Sequence, residues 1–558
     1  MKIRNTILIA LFAFLIYPVS ADSLMRERVY LHTDKQTYLS GELLWMKFYL
    51  TDEVGKPSSF SKIGYVELVD ESTAQVQVKL DVKNGVSGGW MDLPVTLPTG
   101  NYRLIAYTRN MRNEGDLVFF DKTIGVINTF KSGSFVSADT ITSDPVMPPD
   151  VVNNNISVAT AKQSYSLRDK GEILIKDLPE NVHSLSVSVA GRDFIQGSEN
   201  ILTWNNGLVK NAKLPVSEEF LPEYEGHIIN CNIVASAGLP LAEDRIFSLL
   251  GFVGDQVRVF GGMTSDNKNV QFFTRNITGA QELAVSTVSL SGNNYNVNIE
   301  SPFVSHPEKD MPEFVLNPEW KDGLLKRSVG MQVQYAYSLD LMSLVDTTYS
   351  YFQWKPDRSY ILDEYTRFTS MEELVIEFIP ALRFRRYDGK VFLSTLLNST
   401  NTFSLGSTLV LLDGIPIMDH KIIHNYNPLL VYKIDVYRDV FVFGDRHYEG
   451  LVFITTYNRD YPSLEASEAT HLFDYDGTQL HRYFYSPSYT ENSDIENKIP
   501  DYRHTLLWMP EVDPDGQSSL SLPFSTSDLT GDFQITVEGI TKDGKVIRGT
   551  SFFDVKKP

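Results

Sequence analysis

Between residues 75 and 82 the chain alternates strictly, with Val76, Val78, Leu80 and Val82 interleaved with Gln75, Gln77, Lys79 and Asp81. A period of two puts the apolar set on one face of a strand, and that face needs a second layer to cover it. The pattern recurs where Met46, Phe48 and Leu50 alternate with Trp45, Lys47 and Tyr49, and where Phe533, Ile535 and Val537 alternate with Gln534, Thr536 and Glu538. Turn signals punctuate these runs at Asn84-Gly85, Gly88-Gly89, Thr99-Gly100-Asn101 and Lys542-Asp543-Gly544. Short strands at this spacing predict antiparallel sandwiches. The 558 residues exceed what one core can hold, so about three to five mainly β domains are expected.

The N-terminus carries a different signal. Lys2 and Arg4 precede the uncharged apolar run from Ile7 to Ile16, and Val19-Ser20-Ala21 follows Pro18. This is the pattern of a secretory signal peptide over residues 1–21, with mature protein starting near Asp22. The run is shorter than the roughly 20 residues a spanning helix needs, and no later stretch approaches that length. The net charge of −20 speaks against nucleic acid, whose phosphates call for clustered Lys and Arg.

The segment Val29-Tyr-Leu-His-Thr-Asp-Lys-Gln-Thr-Tyr-Leu-Ser-Gly-Glu42, continuing to Tyr49, resembles the opening of the second macroglobulin-type domain of α2-macroglobulin-like proteins. Leu97 to Tyr107 resembles its closing strands. The resemblance implies an immunoglobulin-like β-sandwich over 22–130. Residues 131–155 are rich in Ser, Thr, Asp and Pro and read as a linker. A second opening then appears, with Lys162, Tyr165 and Gly171-Glu172 standing where Lys35, Tyr38 and Gly41-Glu42 stood. Repetition of one sandwich unit explains this, giving a second macroglobulin-like domain over 156–224. A third β-rich block is expected over 225–305, with turns at Gly238, Gly251 and Ser291 to Asn294.

Residues 306–368 read as a connector with a helix starting at Asn317-Pro318-Glu319, a capping residue followed by proline. Thr369-Ser-Met-Glu-Glu373 resembles a capping box, and Leu374, Val375, Phe378 and Ile379 continue with helical spacing. Thr408-Leu-Val-Leu-Leu-Asp-Gly-Ile-Pro-Ile417 follows as a continuous apolar run ending in an Asp413-Gly414 turn, and Gly450-Leu-Val-Phe-Ile-Thr-Thr-Tyr457 as a strongly β-forming stretch. Over 369–460 this order resembles the plug domain of TonB-dependent outer-membrane receptors. Such receptors continue into a barrel of about 22 strands, for which residues 461–558 are too few; that tail is read as a C-terminal sandwich. The whole arrangement resembles envelope proteins of Bacteroidetes-type bacteria that combine macroglobulin and plug-like domains.

Chemistry is hard to find. The thioester of the macroglobulin family needs Cys-Gly-Glu-Gln, and the single cysteine, Cys231, lies in Asn-Cys-Asn. Cys231 is read as a small buried apolar residue in a strand. His420 and His424 stand four apart, a spacing that could pair imidazoles on a helix, but no Glu follows His420 and both are read as solvated loop histidines. Asp474-Tyr-Asp-Gly477 and Asp513-Pro-Asp-Gly516 begin like calcium loops yet lack the closing Glu, so both are read as turns. Arg383, Arg385 and Arg386 form a small basic cluster, read as one face of a solvated strand. A phosphate-binding glycine loop ending in Gly-Lys-Ser or Gly-Lys-Thr does not occur.

These readings assign no catalytic, cofactor or metal residues. The expectation is a non-enzymatic exported protein, in the periplasm or peripheral to the outer membrane. Its partner is a protein, with an outer-membrane β-barrel first in view and a partner-binding surface that the sequence leaves unassigned. A macroglobulin-like protein that interacts with proteases without a thioester is the alternative. A carbohydrate-active enzyme comes third.

Overall fold

The computed structural model describes residues 25–131, 154–192, 217, 219–235, 246–266, 269–289, 295–311, 314, 316, 320–338, 341–342, 344–345, 354–405, 408–459, 461, 469–489 and 499–557. Among them the strands assemble into three sandwiches and one α/β unit. The signal-peptide segment, residues 132–153 of the 131–155 linker, the helix start at 317–319 and the turns at Gly238 and 291–294 fall outside the described residues.

In the first sandwich a three-stranded sheet, Glu27–Thr33, Leu43–Asp52 and Val86–Asp92, faces a five-stranded one built from Thr37–Leu39, Phe120–Ile127, Gly100–Tyr107, Ile63–Asp70 and Thr73–Asp81. Leu44, Met46 and Phe48 from one sheet meet Val66, Leu68, Leu104 and Ile124 from the other. Each such fully buried aliphatic side chain contributes about 1.5–3 kcal/mol relative to exposure. The alternating Val76, Val78 and Leu80 lie on Thr73–Asp81, as the period of two requires.

The second sandwich departs from the sequence reading. Its five-stranded sheet runs Ser164–Tyr165, Val546–Val555, Gly531–Thr541, Val182–Gly191, Thr505–Val512, and its three-stranded sheet runs Ser519–Ser525, Lys170–Lys176, Ser157–Thr160. The segments expected as two separate sandwiches, 156–224 and 461–558, thus contribute strands to the same two sheets around one core containing Ile173, Val187, Ile535 and Val537. Neither segment has enough strands to cover its own apolar face, so each completes the other.

The same closure at a distance recurs in the third sandwich. Thr470–Asp476 joins its sheet beside Ala280–Ser289, next to Ile246–Phe252 and Val259–Gly261, while Met263–Asp266, Asn269–Phe273, Ile228–Ala235 and Tyr295–Ile299 form the opposite sheet. Asp474 and Asp476 therefore lie on a strand and not in the expected turn. Gly251 also lies within a strand, Ile246–Phe252.

Between Tyr295–Ile299 and Thr470–Asp476 the chain makes the helix Lys321–Ser338 and the α/β unit. That unit has a sheet ordered Arg358–Ile361, Val431–Phe443, Arg446–Thr456, Leu409–Leu412, Ile415–Ile417, with the hairpin Leu382–Tyr387/Lys390–Thr395 and two helices, Met371–Phe378 and His420–His424. Ser370 caps the first helix, its hydroxyl accepting from the Glu373 N–H at 3.2 Å. The sandwiches are consequently nested: the α/β unit interrupts the third, and the third interrupts the second.

Candidate functional site

The repeated openings are alike in atomic detail. Thr33 Oγ1 donates to the Lys35 carbonyl at 2.9 Å, and Thr160 Oγ1 donates to the Lys162 carbonyl at 2.6 Å. Lys35 lies over the Tyr38 ring and Lys162 over the Tyr165 ring. Each tyrosine sits on a short strand paired in parallel with the last strand of its sandwich. In the first copy the motif is also a junction. Asp34 accepts from Tyr38 Oη (2.8 Å), from the Trp45 N–H (3.1 Å) and, across the boundary to the second sandwich, from Thr505 Oγ1 (2.7 Å). Glu42 accepts two bonds from Arg327 of the Lys321–Ser338 helix. Burial pushes the Glu42 carboxyl up, but Arg327 and Lys35 outweigh it and hold the group down to about 2. Beside this junction a cavity of about 50 Å³ is lined by Trp45, Met331, Met342 and Phe484, room for a water or two. The residues carrying the family resemblance therefore lock units together.

Two buried polar seams flank the first sandwich. Toward the second sandwich, Tyr49 Oη and His32 Nδ1 converge on Ser186 Oγ at 2.7 and 2.6 Å, and Tyr30 Oη donates to Glu538 Oε2 at 2.7 Å. Burial lowers the His32 pKa. Toward the third sandwich, Tyr65 Oη donates to Glu223, which also accepts from the Ile228 N–H and stands 2.7 Å from His227 Nδ1. His227 Nε2 in turn meets Tyr475 Oη. Lys79 lies over the Tyr475 ring, and burial pulls its pKa down to about 8. No local sequence signal marks these residues, because their partners lie up to 508 positions away. Although Glu223, His227 and Tyr475 form a hydrogen-bonded chain, all three are buried, so a substrate has no approach to them.

The α/β unit is joined to the third sandwich by backbone contact. The turn Asp413-Gly414 has φ of +48° and +87°, the pairing of positive values that a tight type I′ hairpin demands. A Cβ on Gly414 would collide with the Phe252 carbonyl, and one on Gly251 would collide with the Gly414 carbonyl. Gly251 therefore marks close approach within a strand, where the sequence pointed to a turn. Gly261 and Gly444 repeat this contact at the tip of the Val431–Phe443 hairpin. The Asp413 carboxylate is buried and accepts from the Thr456 N–H and hydroxyl at 2.8 and 2.7 Å.

Of the residues singled out in the sequence, Cys231 is buried, and burial pushes its thiol up to about 12. His420 is not a solvated loop residue. It opens a short helix capped by Asp419, and its Nδ1 accepts from the Leu393 N–H at 2.9 Å. Burial takes its pKa to about 4. His424 lies at the other end of that helix beside Glu372 and Arg386. Arg383 stacks over Phe403 and Arg386 pairs with Glu372, so the three arginines do not share one face. Asp513 closes a turn by accepting from the Asp515 N–H. Among the described residues no group of three or more His, Cys, Asp and Glu is placed to hold a metal ion, and no helix is long and apolar enough to cross a membrane.

No protein-family model and no curated protein matches the chain. Solved structures it is similar to include Salmonella α2-macroglobulin reacted with methylamine, at 9% identity and a TM-score of 0.24, covering 95% of this chain and 40% of that one. The native conformation of Escherichia coli α2-macroglobulin gives 9% identity and a TM-score of 0.25, covering 96% and 40%. The Yersinia pseudotuberculosis adhesin InvE gives 13% and 0.13, covering 49% and 57%. This chain thus spans less than half the length of the macroglobulins it matches, and scores this low carry no functional argument.

Proposed function

We propose that the protein is an exported, non-enzymatic binding module of a bacterial envelope, in which the nested sandwiches hold the plug-like α/β unit toward a protein partner. An outer-membrane β-barrel contributed by another chain is the partner the plug resemblance favours. One observation carries the reading. The α/β unit is fixed to the third sandwich through glycine contacts, yet it leaves Ile376, Tyr387, Leu405, Leu429 and Tyr432 exposed to solvent. A rigidly held unit with several large apolar side chains outside its core fits a docking element. In-cell crosslinking followed by mild-detergent pulldown of a tagged copy tests this. Recovery of one stoichiometric outer-membrane barrel supports it, and a uniformly monomeric periplasmic protein crosslinked to no barrel overturns it.

The repeated Thr-x-Lys-x-x-Tyr openings favour one second reading, a macroglobulin-like protein that engages proteases without a thioester. Incubation with a protease panel separates the two, since a trap is cut at one exposed site and retains the protease.

A further inference from the structure

The outer face of the hairpin Leu382–Tyr387/Lys390–Thr395 gathers three cations. Arg383, Arg385 and Tyr387 alternate with Phe384 and Arg386 and stand opposite Ser394, Phe392 and Lys390. Residues directly opposite share a face, so Arg383, Arg385, Tyr387 and Lys390 lie together. The other face turns inward, where Phe384 packs on the core of the α/β unit and Arg386 pairs with Glu372. Arg383 is held over the Phe403 ring at 4.5 Å, and Arg385 is half-buried with an Nε that meets no partner. Among the described residues no carboxylate lies within ion-pair distance of Arg383, Arg385 or Lys390. One carboxylate stands at each margin: Asp388 in the two-residue turn, and Glu449, which accepts from the Leu405 N–H at 3.2 Å. Ser404 is buried and accepts from the Thr395 N–H at 3.0 Å, so its neighbours Phe403 and Leu405 turn outward. Tyr387 and Leu405 are 78% and 87% exposed, the highest values among the large apolar side chains of the described residues.

A solvated strand explains the cations alone but not the two apolar side chains beside them. In a chain with 70 acidic against 50 basic side chains, counter-ions are plentiful, so three neighbouring cations without one face outward to an anion that is not part of the fold. We infer that this face rests on a membrane surface, its cations meeting the phosphates of an anionic leaflet while Tyr387 and Leu405 enter the headgroup layer. Guanidinium groups present planar forks of N–H donors that match phosphate oxygens. A tyrosine suits that depth, with its ring in the apolar zone and its hydroxyl in the wet one. An acidic protein segment would answer the cations, but it would need a shaped pocket for each of two side chains that stand clear of the fold. A headgroup layer needs none. The hairpin stays paired out to Tyr387 and Lys390, so only its two-residue turn lies beyond the ladder. Three cations and two apolar side chains give reversible, peripheral attachment.

Vesicle sedimentation of the purified chain from Asp22 onward tests this. At about 0.1 M salt the acidic remainder of the chain is screened beyond about 10 Å, so the local face decides the outcome. The chain should sediment with vesicles of phosphatidylglycerol and phosphatidylcholine and stay in solution with phosphatidylcholine alone. Each cation at an anionic surface is worth about fivefold in affinity. Lys390→Gln should therefore weaken binding about fivefold, and Arg383→Gln with Arg385→Gln about thirtyfold. Lys390 is exposed, so its variant still decides the matter if the double arginine variant fails to fold. Leu405→Ser, which leaves the charge unchanged, should cost about fivefold as well. Equal sedimentation with neutral vesicles, or binding that Lys390→Gln or Leu405→Ser leaves unchanged, would overturn the membrane contact. So would release from the vesicles by inorganic phosphate or a glutamate-rich peptide at an ionic strength where chloride releases nothing, assigning the cations to a free phosphate or an acidic protein. This contact goes beyond the barrel partner proposed above, and the two fail separately. Vesicle binding with no barrel recovered from the envelope rejects only the barrel, and a recovered barrel without vesicle binding rejects only the lipid contact.

Discussion

Arg327 reaches from the Lys321–Ser338 helix to Glu42 of the first sandwich, with Nε and Nη2 at 2.9 and 2.8 Å from the two carboxylate oxygens. Both side chains are buried, and Arg327 also donates to the Thr37 carbonyl at 2.8 Å. The pair holds a helix against the opening turn of a sandwich nearly three hundred residues earlier in sequence.

Arg327→Met should therefore leave the buried Glu42 carboxylate only partly compensated, by Lys35, and destabilise the first unit by about 3 kcal/mol. Adding Glu42→Gln should recover part of that loss, because the buried charge that Lys35 alone offsets only in part is gone. Thermal unfolding of the two variants checks this; a single variant as stable as the parent would refute it.

Gly251→Ala should loosen the α/β unit without unfolding it, since the added methyl meets the Gly414 carbonyl while Gly251 itself sits in an ordinary strand conformation. The expected cost exceeds about 1 kcal/mol. Limited proteolysis should show faster cutting between the α/β unit and the third sandwich, with the circular dichroism of the chain retained.

Acid should weaken the molecule in two stages. His32, His227 and His420 all have folded pKa values below the ordinary 6.5, burial being the first cause in each. The unfolded chain thus binds protons that the folded chain refuses, so their contribution is intact above about 6.5 and declines as pH falls. For His420 the decline ends near 4. Glu42, with a folded value of about 2, adds a loss that starts below its ordinary 4.5. Melting temperatures between pH 8 and 3 should fall from about pH 6.5 and steepen below about 4.5. His420→Gln should flatten the first stage, and an unchanged profile would exclude His420 as a contributor.

N-terminal sequencing of the protein recovered from its native host should begin near Asp22, as the signal-peptide pattern predicts. A retained Met1 would remove the export expectation.

Local signals were legible where local physics decides. The period of two between 75 and 82 yields a strand, the capping box at Ser370 yields a helix, and the Asp413-Gly414 dipeptide yields a tight turn. His420 was misread because its segment lies between strands, although Asp419 stands at its N-terminus as a capping signal. Gly251 was misread because a glycine looks the same in sequence whether it bends the chain or admits a neighbour. Strand partnership was not legible at all. Alternation tells Val187 which face it occupies but not that Val537 lies beside it. For the same reason the seam built on Tyr49, Ser186 and Glu538 left no trace in the sequence.

The nesting of the units sets an order of assembly. Val182–Gly191 is flanked in its sheet by Gly531–Thr541 and Thr505–Val512, so the second sandwich cannot close until those two strands have been made and everything between has been tucked in. The α/β unit can form first, the third sandwich after Thr470–Asp476 emerges, and the second last. A chain interrupted anywhere after the α/β unit would lose more than its tail. It would leave the apolar strands of an early half-sandwich bare for as long as their distant partners were missing, which makes the four strands from Thr505 to Val555 a checkpoint for the units folded before them.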